Sequence, residues 1–205
     1  MFYTIKDECS AEITEKKSKF ICNVFHVESA QEAEDKLNIV RKKYHDARHN
    51  CYVYKVVEED AFKASDDGEP SGTAGVPMLN IVNGRNLSNI LVVVTRYFGG
   101  ILLGTGGLVR AYSLATTTAL DDSNIIKQEM GLEASFNVEY KELEEVRYHL
   151  KNRNIVISGQ EYLENVKVFV EGREEDILKL QNEKLSERVE LKDFVVLKKK
   201  YIEIE

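Results

Sequence analysis

The chain has 205 residues, 43% of them hydrophobic and 31% charged, with two prolines and a formal net charge of −7. That length exceeds a typical single core of about 100–150 residues, so two compact domains are expected, and the composition is that of a globular protein rather than a disordered or fibrous one. The acidic balance speaks against a general nucleic-acid binder and against DNA as a partner, because such proteins neutralise phosphates with lysine and arginine.

The longest uncharged apolar run, residues 90–95, falls far short of the roughly 20 residues a membrane-spanning helix needs. Lys6, Asp7 and Glu8 stand where a secretory signal would place its apolar stretch, so a cytoplasmic protein is expected. Cys9, Cys22 and Cys51 are odd in number and lack the short paired spacings of zinc sites, which points to reduced thiols and no resident metal. Basic residues gather at Lys16, Lys17 and Lys19, at Arg41, Lys42, Lys43 and Arg48, and at 198–200; each group reads as solvated surface.

Residues 11–16 and 18–27 read as a strand pair joined near Lys17, since Phe20, Cys22, Val24 and His26 alternate with Ile21, Asn23, Phe25 and Val27. Ser29 then opens a helix: Glu32 completes a capping box, and Ala33, Leu37, Val40 and Tyr44 recur at helical spacing. Residues 50–57, rich in tyrosine and valine, read as a strand, and 58–75, with its acids, serines and glycines, as a long loop. Pro77 suits the first turn of a short helix over 78–82 that Gly84 would stop in a left-handed cap. Residues 90–98 read as a central strand covered on both faces. After Gly99, Gly100, Gly104, Gly106 and Gly107 comes a helix with Leu108, Ala111, Ala115 and Ala119 on one face, and 121–127 forms a polar link.

The remainder reads as strand 132–140, helix 141–152, strands 155–158 and 165–170, helix 174–186 and strand 189–197. That order is βαββαβ, the ferredoxin-like pattern. The expected fold is therefore α+β with two domains, 1–127 and 128–205.

Two segments concentrate functional chemistry. The strand, glycine turn and helix of 90–120 place backbone N–H groups at a helix N-terminus, where a phosphate or carboxylate is held readily, with Arg96 and Arg110 adding charge beside Gly104, Gly106 and Gly107. Neither named phosphate motif fits: no lysine follows Gly104, and Val109 stands where the last glycine of G-x-G-x-x-G belongs. The second segment, 66–75, carries Asp66, Asp67, Glu69, Ser71 and Thr73 on a glycine-rich backbone, which suits a divalent cation, a cationic partner or helix capping. Arg48, with Arg96 and Arg110, would offset those carboxylates if an anion bound there. His49 lies two residues before Cys51 and so on the same strand face, but a nucleophile and its base normally come from separate elements, and Cys51 reads as core.

DDGEPSGTAGVP, VVTRYFGGILLGTGGLVRAY and ARHNCYVYK together resemble the IMPACT family in its YigZ-like bacterial form, over about 17–120. The resemblance implies a first domain of two α/β layers like the second domain of a small-subunit ribosomal protein and domain IV of elongation factor G. It likens the ferredoxin-like tail to domain V of that factor. It also implies translation-associated regulation, since the eukaryotic member competes for the coactivator of a stress-responsive initiation-factor kinase. That protein carries an extra amino-terminal domain that contributes to partner binding; this chain opens on the shared domain, so the kinase-pathway role is not expected here.

Two functions follow as expectations. The first is a non-catalytic module that binds the ribosome, structured RNA or a translation-related protein. The second is an enzyme or ligand-binding protein holding a small phosphorylated or carboxylated substrate at the glycine turn, with Asp66, Asp67 and Glu69 as metal ligands or bases. No Ser/His/Asp order and no cofactor motif singles out a reaction.

Overall fold

The computed structural model describes residues 1–182, 184–186 and 189–204. The chain divides into two compact units, residues 2–127 and residues 128–205 with Met1, and the fold is α+β. No helix among the described residues is long and apolar enough to cross a membrane.

In the first unit, β1 (Phe2–Ile5) precedes a hairpin of β2 (Cys9–Glu15) and β3 (Ser18–His26). Its two turn residues, Lys16 and Lys17, both have positive φ, the geometry that matches the twist of the flanking strands. The helix α1 (Ala30–Lys43) starts at Ser29, whose Oγ accepts the Glu32 N–H at 3.1 Å. Glu32 reaches one residue further back than a capping box requires and accepts the Glu28 N–H at 2.9 Å.

β4 (His49–Val56) turns into β5 (Ala61–Ser65), a strand inside the stretch expected to be loop. β5 lies at the sheet edge and is exposed along its middle three residues. Backbone pairing holds it, and no apolar alternation announces it. The next helix, α2 (Gly75–Gly84), begins at Gly75 rather than at residue 78. Gly84 stays helical, and the left-handed stop falls to Asn86, φ 53. The Leu87 N–H reaches the Val82 carbonyl and the Asn86 N–H that of Asn83, both at 2.9 Å, a Schellman ending in which asparagine replaces glycine.

β6 (Ile90–Tyr97) and α3 (Gly104–Asp121) complete the unit. The strand order β2-β3-β6-β4-β5 centres β6, and all its residues from Ile90 to Arg96 are buried. Ile90, Val92 and Val94 join Phe20, Met78, Leu108 and Tyr112 in one core beneath α2 and α3. Leu91 and Val93 join Leu37, Val40 and Tyr52 in a second core beneath α1. Helices thus cover both faces, a third layer beyond the two expected, and this is why β6 is apolar without alternation.

β7 (Ile125–Val138) starts earlier than expected and leads into the second unit, where a single 3₁₀ turn, Tyr140–Glu142, and α4 (Leu143–Lys151) follow. β8 (Val156–Tyr162), β9 (Val166–Arg173), α5 (Glu174–Asn182) and β10 (Lys192–Ile204) follow. β7 and β8 flank β9 antiparallel, and β10 pairs with β7, giving the order β10-β7-β9-β8 of a ferredoxin-like βαββαβ unit. Leu132, Ala134, Phe136 and Val138 pack with Val146, Leu150, Ile177 and Leu180 in its core. The expected helix to residue 186 ends at Asn182, with residue 183 outside the described residues; Ser186 instead bridges Val189. The last strand runs well past residue 197 and contains the basic run 198–200.

Candidate functional site

The loop between β5 and α2 is organised by its carboxylates. Asp66 Oδ1 accepts the N–H groups of Ala74 and Gly75 at 2.9 and 2.8 Å, and Oδ2 accepts that of Gly72 at 2.8 Å. These donors lie at and just before the start of α2, so Asp66 acts as a remote cap for its free N–H groups. Burial pushes the Asp66 carboxyl up, but the bonds from Gly72, Gly75 and Ala74 together outweigh it and leave it below the ordinary carboxylate range. Asp67, in a left-handed backbone conformation, accepts the Asn50 N–H at 2.6 Å and lies 3.5 Å from Arg41. Its carbonyl oxygen is 2.8 Å from His49 Nδ1. Thr73 donates its hydroxyl to the Pro70 carbonyl at 2.6 Å, and Ser71 is exposed.

Glu69 turns inward. Its side chain is 3% exposed, and Oε1 accepts Arg96 Nη1 at 2.7 Å and the Tyr112 hydroxyl at 2.8 Å. Tyr112 also stands edge-on to Phe20, with ring centroids 5.2 Å apart. Burial is the main force pushing the Tyr112 hydroxyl far up, helped by Cys51 and Glu69, so it remains a donor. Cys51 Sγ lies 3.3 Å from that hydroxyl and 2.9 Å from the Asp66 carbonyl. Burial raises its thiol to about 12, which leaves it protonated at neutral pH and a poor nucleophile.

The three carboxylates therefore diverge, Asp66 to α2, Asp67 to β4 and Glu69 to the core. Among the described residues no three Asp, Glu, His or Cys side chains gather as metal ligands. His49 faces the Asp67 carbonyl, so the structure sets up no Cys–His pair.

The glycine turn is fixed by close approach. A Cβ on Gly99 would lie 2.0 Å from the Lys17 backbone, so the turn sits directly on the tip of the β2–β3 hairpin. Ser18 Oγ accepts the Gly99 N–H at 3.2 Å. Gly104 takes a positive φ of 70° as α3 begins, which places Gly106 and Gly107 inside the helix's first turns rather than before it. Gly107 lies under Leu103, whose Cβ would be 2.9 Å from a Cβ there.

Arg96 and Arg110, grouped by the sequence, separate in the fold. Arg96 is 8% exposed in its side chain, and its guanidinium lies between the Phe20 and Phe98 rings at 5.5 and 5.6 Å. Arg110 is exposed and folds back over Gly106, with no carboxylate partner among the described residues. Arg48, just ahead of β4, is exposed as well.

Sequence reasoning missed Tyr112, Ser18 and Phe98. Tyr112 carried a signal: it is the one aromatic residue on the stripe of Leu108, Ala111, Ala115 and Ala119, and so stands out as a polar-tipped core side chain.

A family model, the Impact N-terminal domain, matches residues 16–120, which include every site residue above. IMPACT family member YvyE of Bacillus subtilis is 38% identical over 176 residues, 84% of this chain and 81% of that protein. IMPACT family member YigZ of Escherichia coli is 40% identical over 131 residues, 62% of this chain and 64% of that protein. Among solved structures, the crystal structure of a hypothetical protein matches 96% of this chain and 97% of its own, at 30% identity and a TM-score of 0.63. The matched family model, the agreement over most of the chain and the three motifs around Asp66, Arg96 and Cys51 lead to one assignment: this chain belongs to the IMPACT family.

Proposed function

We propose that this protein is a non-catalytic binding module associated with translation, which contacts the ribosome or other structured RNA. The observation that carries this reading is the engagement of Glu69 by both Arg96 and Tyr112. The most enclosed carboxylate of the motif region is spent inside the fold, and so are Asp66 and the Cys51 thiol. A general base or nucleophile has to reach a substrate atom, whereas Glu69 and Cys51 face the core and the Asp66 carboxylate is taken up by backbone N–H groups. The motifs then serve to shape a surface.

Co-sedimentation with ribosomes at low and moderate salt tests the reading. Saturable pelleting that weakens as salt rises is the expected result, because phosphate contacts are salt-dependent. Absence of pelleting at both salts, with stabilisation by a phosphorylated metabolite in a thermal-shift screen, would replace it with the small-ligand reading at the Gly104 turn.

A further inference from the structure

The hairpin tip, the glycine turn and the outer side of α3 form one surface of the first unit. Lys16 and Lys17 are exposed at the tip, and Gly99 seats the turn against Lys17. The turn presents Phe98 at 49% exposure and Leu102 at 82%. Lys16, Arg110 and Leu114 line one shallow cavity of about 200 Å³ with Glu15 and Gly107.

Two features of this surface point to an occupant. Among the described residues none of Lys16, Lys17 and Arg110 is paired with a carboxylate, so positive charge is left for a partner on a chain whose net charge is −7. The Phe98 ring is backed by the Arg96 guanidinium, the backbone just after it is anchored by the bond from the Gly99 N–H to Ser18 Oγ, and the rest of the ring faces solvent. Cations beside a fixed ring are the means by which proteins hold a phosphate backbone and stack an unpaired base. A duplex would satisfy the cations but hide its base faces, leaving Phe98 and Leu102 without apolar partners.

We infer that this surface binds RNA through unpaired bases, such as those of a loop in structured RNA, with Phe98 as the stacking platform and Lys16, Lys17 and Arg110 on phosphates. The inference rests on the reading of the protein as a translation-associated binding module and assigns that module its contact face and the state of the RNA it takes.

The test uses the full chain and fluorescence anisotropy with a labelled 12-nucleotide oligouridylate, a blunt RNA duplex of equal length, and labelled polyglutamate. Oligouridylate is expected to bind more tightly than the other two. Lys16→Ala with Lys17→Ala should weaken it roughly tenfold and reduce the salt slope by about 1.4, at about 0.7 for each single-strand phosphate no longer neutralised. Phe98→Ala should weaken it roughly tenfold with the slope unchanged, within the range known for base–aromatic stacking, and Phe98→Tyr should restore binding. Leu102→Ala serves as a second apolar variant that does not touch Arg96, and Lys42→Ala on α1 as a control expected to bind normally.

Equal affinity in all variants, duplex bound as tightly as the single strand, or polyglutamate bound in preference would each overturn the inference. The two readings fail separately. Ribosome pelleting that these substitutions leave intact removes this face and keeps the module, whereas oligouridylate binding through this face without pelleting keeps the face and removes the translation role.

Discussion

Glu69 Oε1 and Arg96 Nη1 meet at 2.7 Å with both side chains buried, joining the loop ahead of α2 to the central strand β6. Removing one partner of such a pair strands a charge in the core, a loss of about 3–5 kcal/mol. Glu69→Ala and Arg96→Ala are each expected to lower the unfolding free energy by that amount, read as a lower urea midpoint at an unchanged m-value. Arg110→Ala, on the surface, should stay within about 0.5 kcal/mol of the parent. A ligand-binding role for Arg96 would give the reverse pattern, with normal stability and lost affinity.

That contrast also marks the limit of what the residues convey by themselves. Arg96 shares strand parity with Ile90, Val92 and Val94, so the face it occupies was readable from the period of two in a strand, although β6 is apolar on both faces. Its partner was not, because Glu69 sits on a loop and only the fold brings the two together. Likewise α1 was legible from Ser29 and its apolar stripe, and the ferredoxin-like order from its periodicities. β5 was hidden because an exposed edge strand carries no burial pattern. The end of α2 was misplaced because asparagine at 86, rather than the nearby glycine, takes the left-handed position.

Tyr112→Phe isolates the second bond to Glu69. The ring remains against Phe20, so packing is conserved and only the hydroxyl is lost. A hydrogen bond to a charged acceptor contributes about 1.5–3 kcal/mol, and a loss of that size in chemical denaturation is expected. A change below about 0.5 kcal/mol would mean that the hydroxyl is replaced by water and that the core around Glu69 is less closed than its burial indicates.

Asp66 gives stability a pH dependence of definite sign. Its folded pKa is lowered by the N–H groups of Gly72, Gly75 and Ala74 against the opposing effect of burial. Its contribution is therefore full above the unfolded value of about 3.9 and is lost as pH falls through the lower folded value. Asp66→Ala should cost about 0.5–2 kcal/mol at pH 7, the range for a lost cap, and the gap to the parent should narrow in acid unfolding below about pH 4. Parallel acid-unfolding curves would show that the cap operates without its charge.

The thiols separate a core role from a reactive one. Cys51, raised to about 12 by burial, has ~10⁻⁴ of its thiol ionised at pH 8, far below a reactive cysteine. Iodoacetamide on the folded protein, followed by peptide mass spectrometry, should modify Cys9 first, because it alone of the three is partly exposed. Cys22 and Cys51 should react only on unfolding. Rapid modification of Cys51 in the native state would reopen a nucleophilic role beside His49.

Gly99 and Gly100 test whether the turn is held by space or by backbone angle. At Gly99 an added Cβ would lie 2.0 Å from the Lys17 carbonyl carbon and oxygen and 2.4 Å from the Ser18 nitrogen, all backbone atoms that no side-chain rotation relieves. At Gly100 a Cβ would meet open space, but φ is 83°, where an L-residue is strained by roughly 1–2 kcal/mol. Gly99→Ala is thus expected to cost more than the ~1–3 kcal/mol of ordinary overpacking, and Gly100→Ala only the smaller backbone penalty, both read from thermal unfolding. The two substitutions should also differ in proteolysis. Gly99→Ala separates the turn from the hairpin tip and opens it to cleavage near Ile101 and Leu102, while Gly100→Ala leaves it seated. Equal losses from the two would mean that the contact between Gly99 and Lys17 yields easily, and that the surface formed by the hairpin tip and the turn is not rigid.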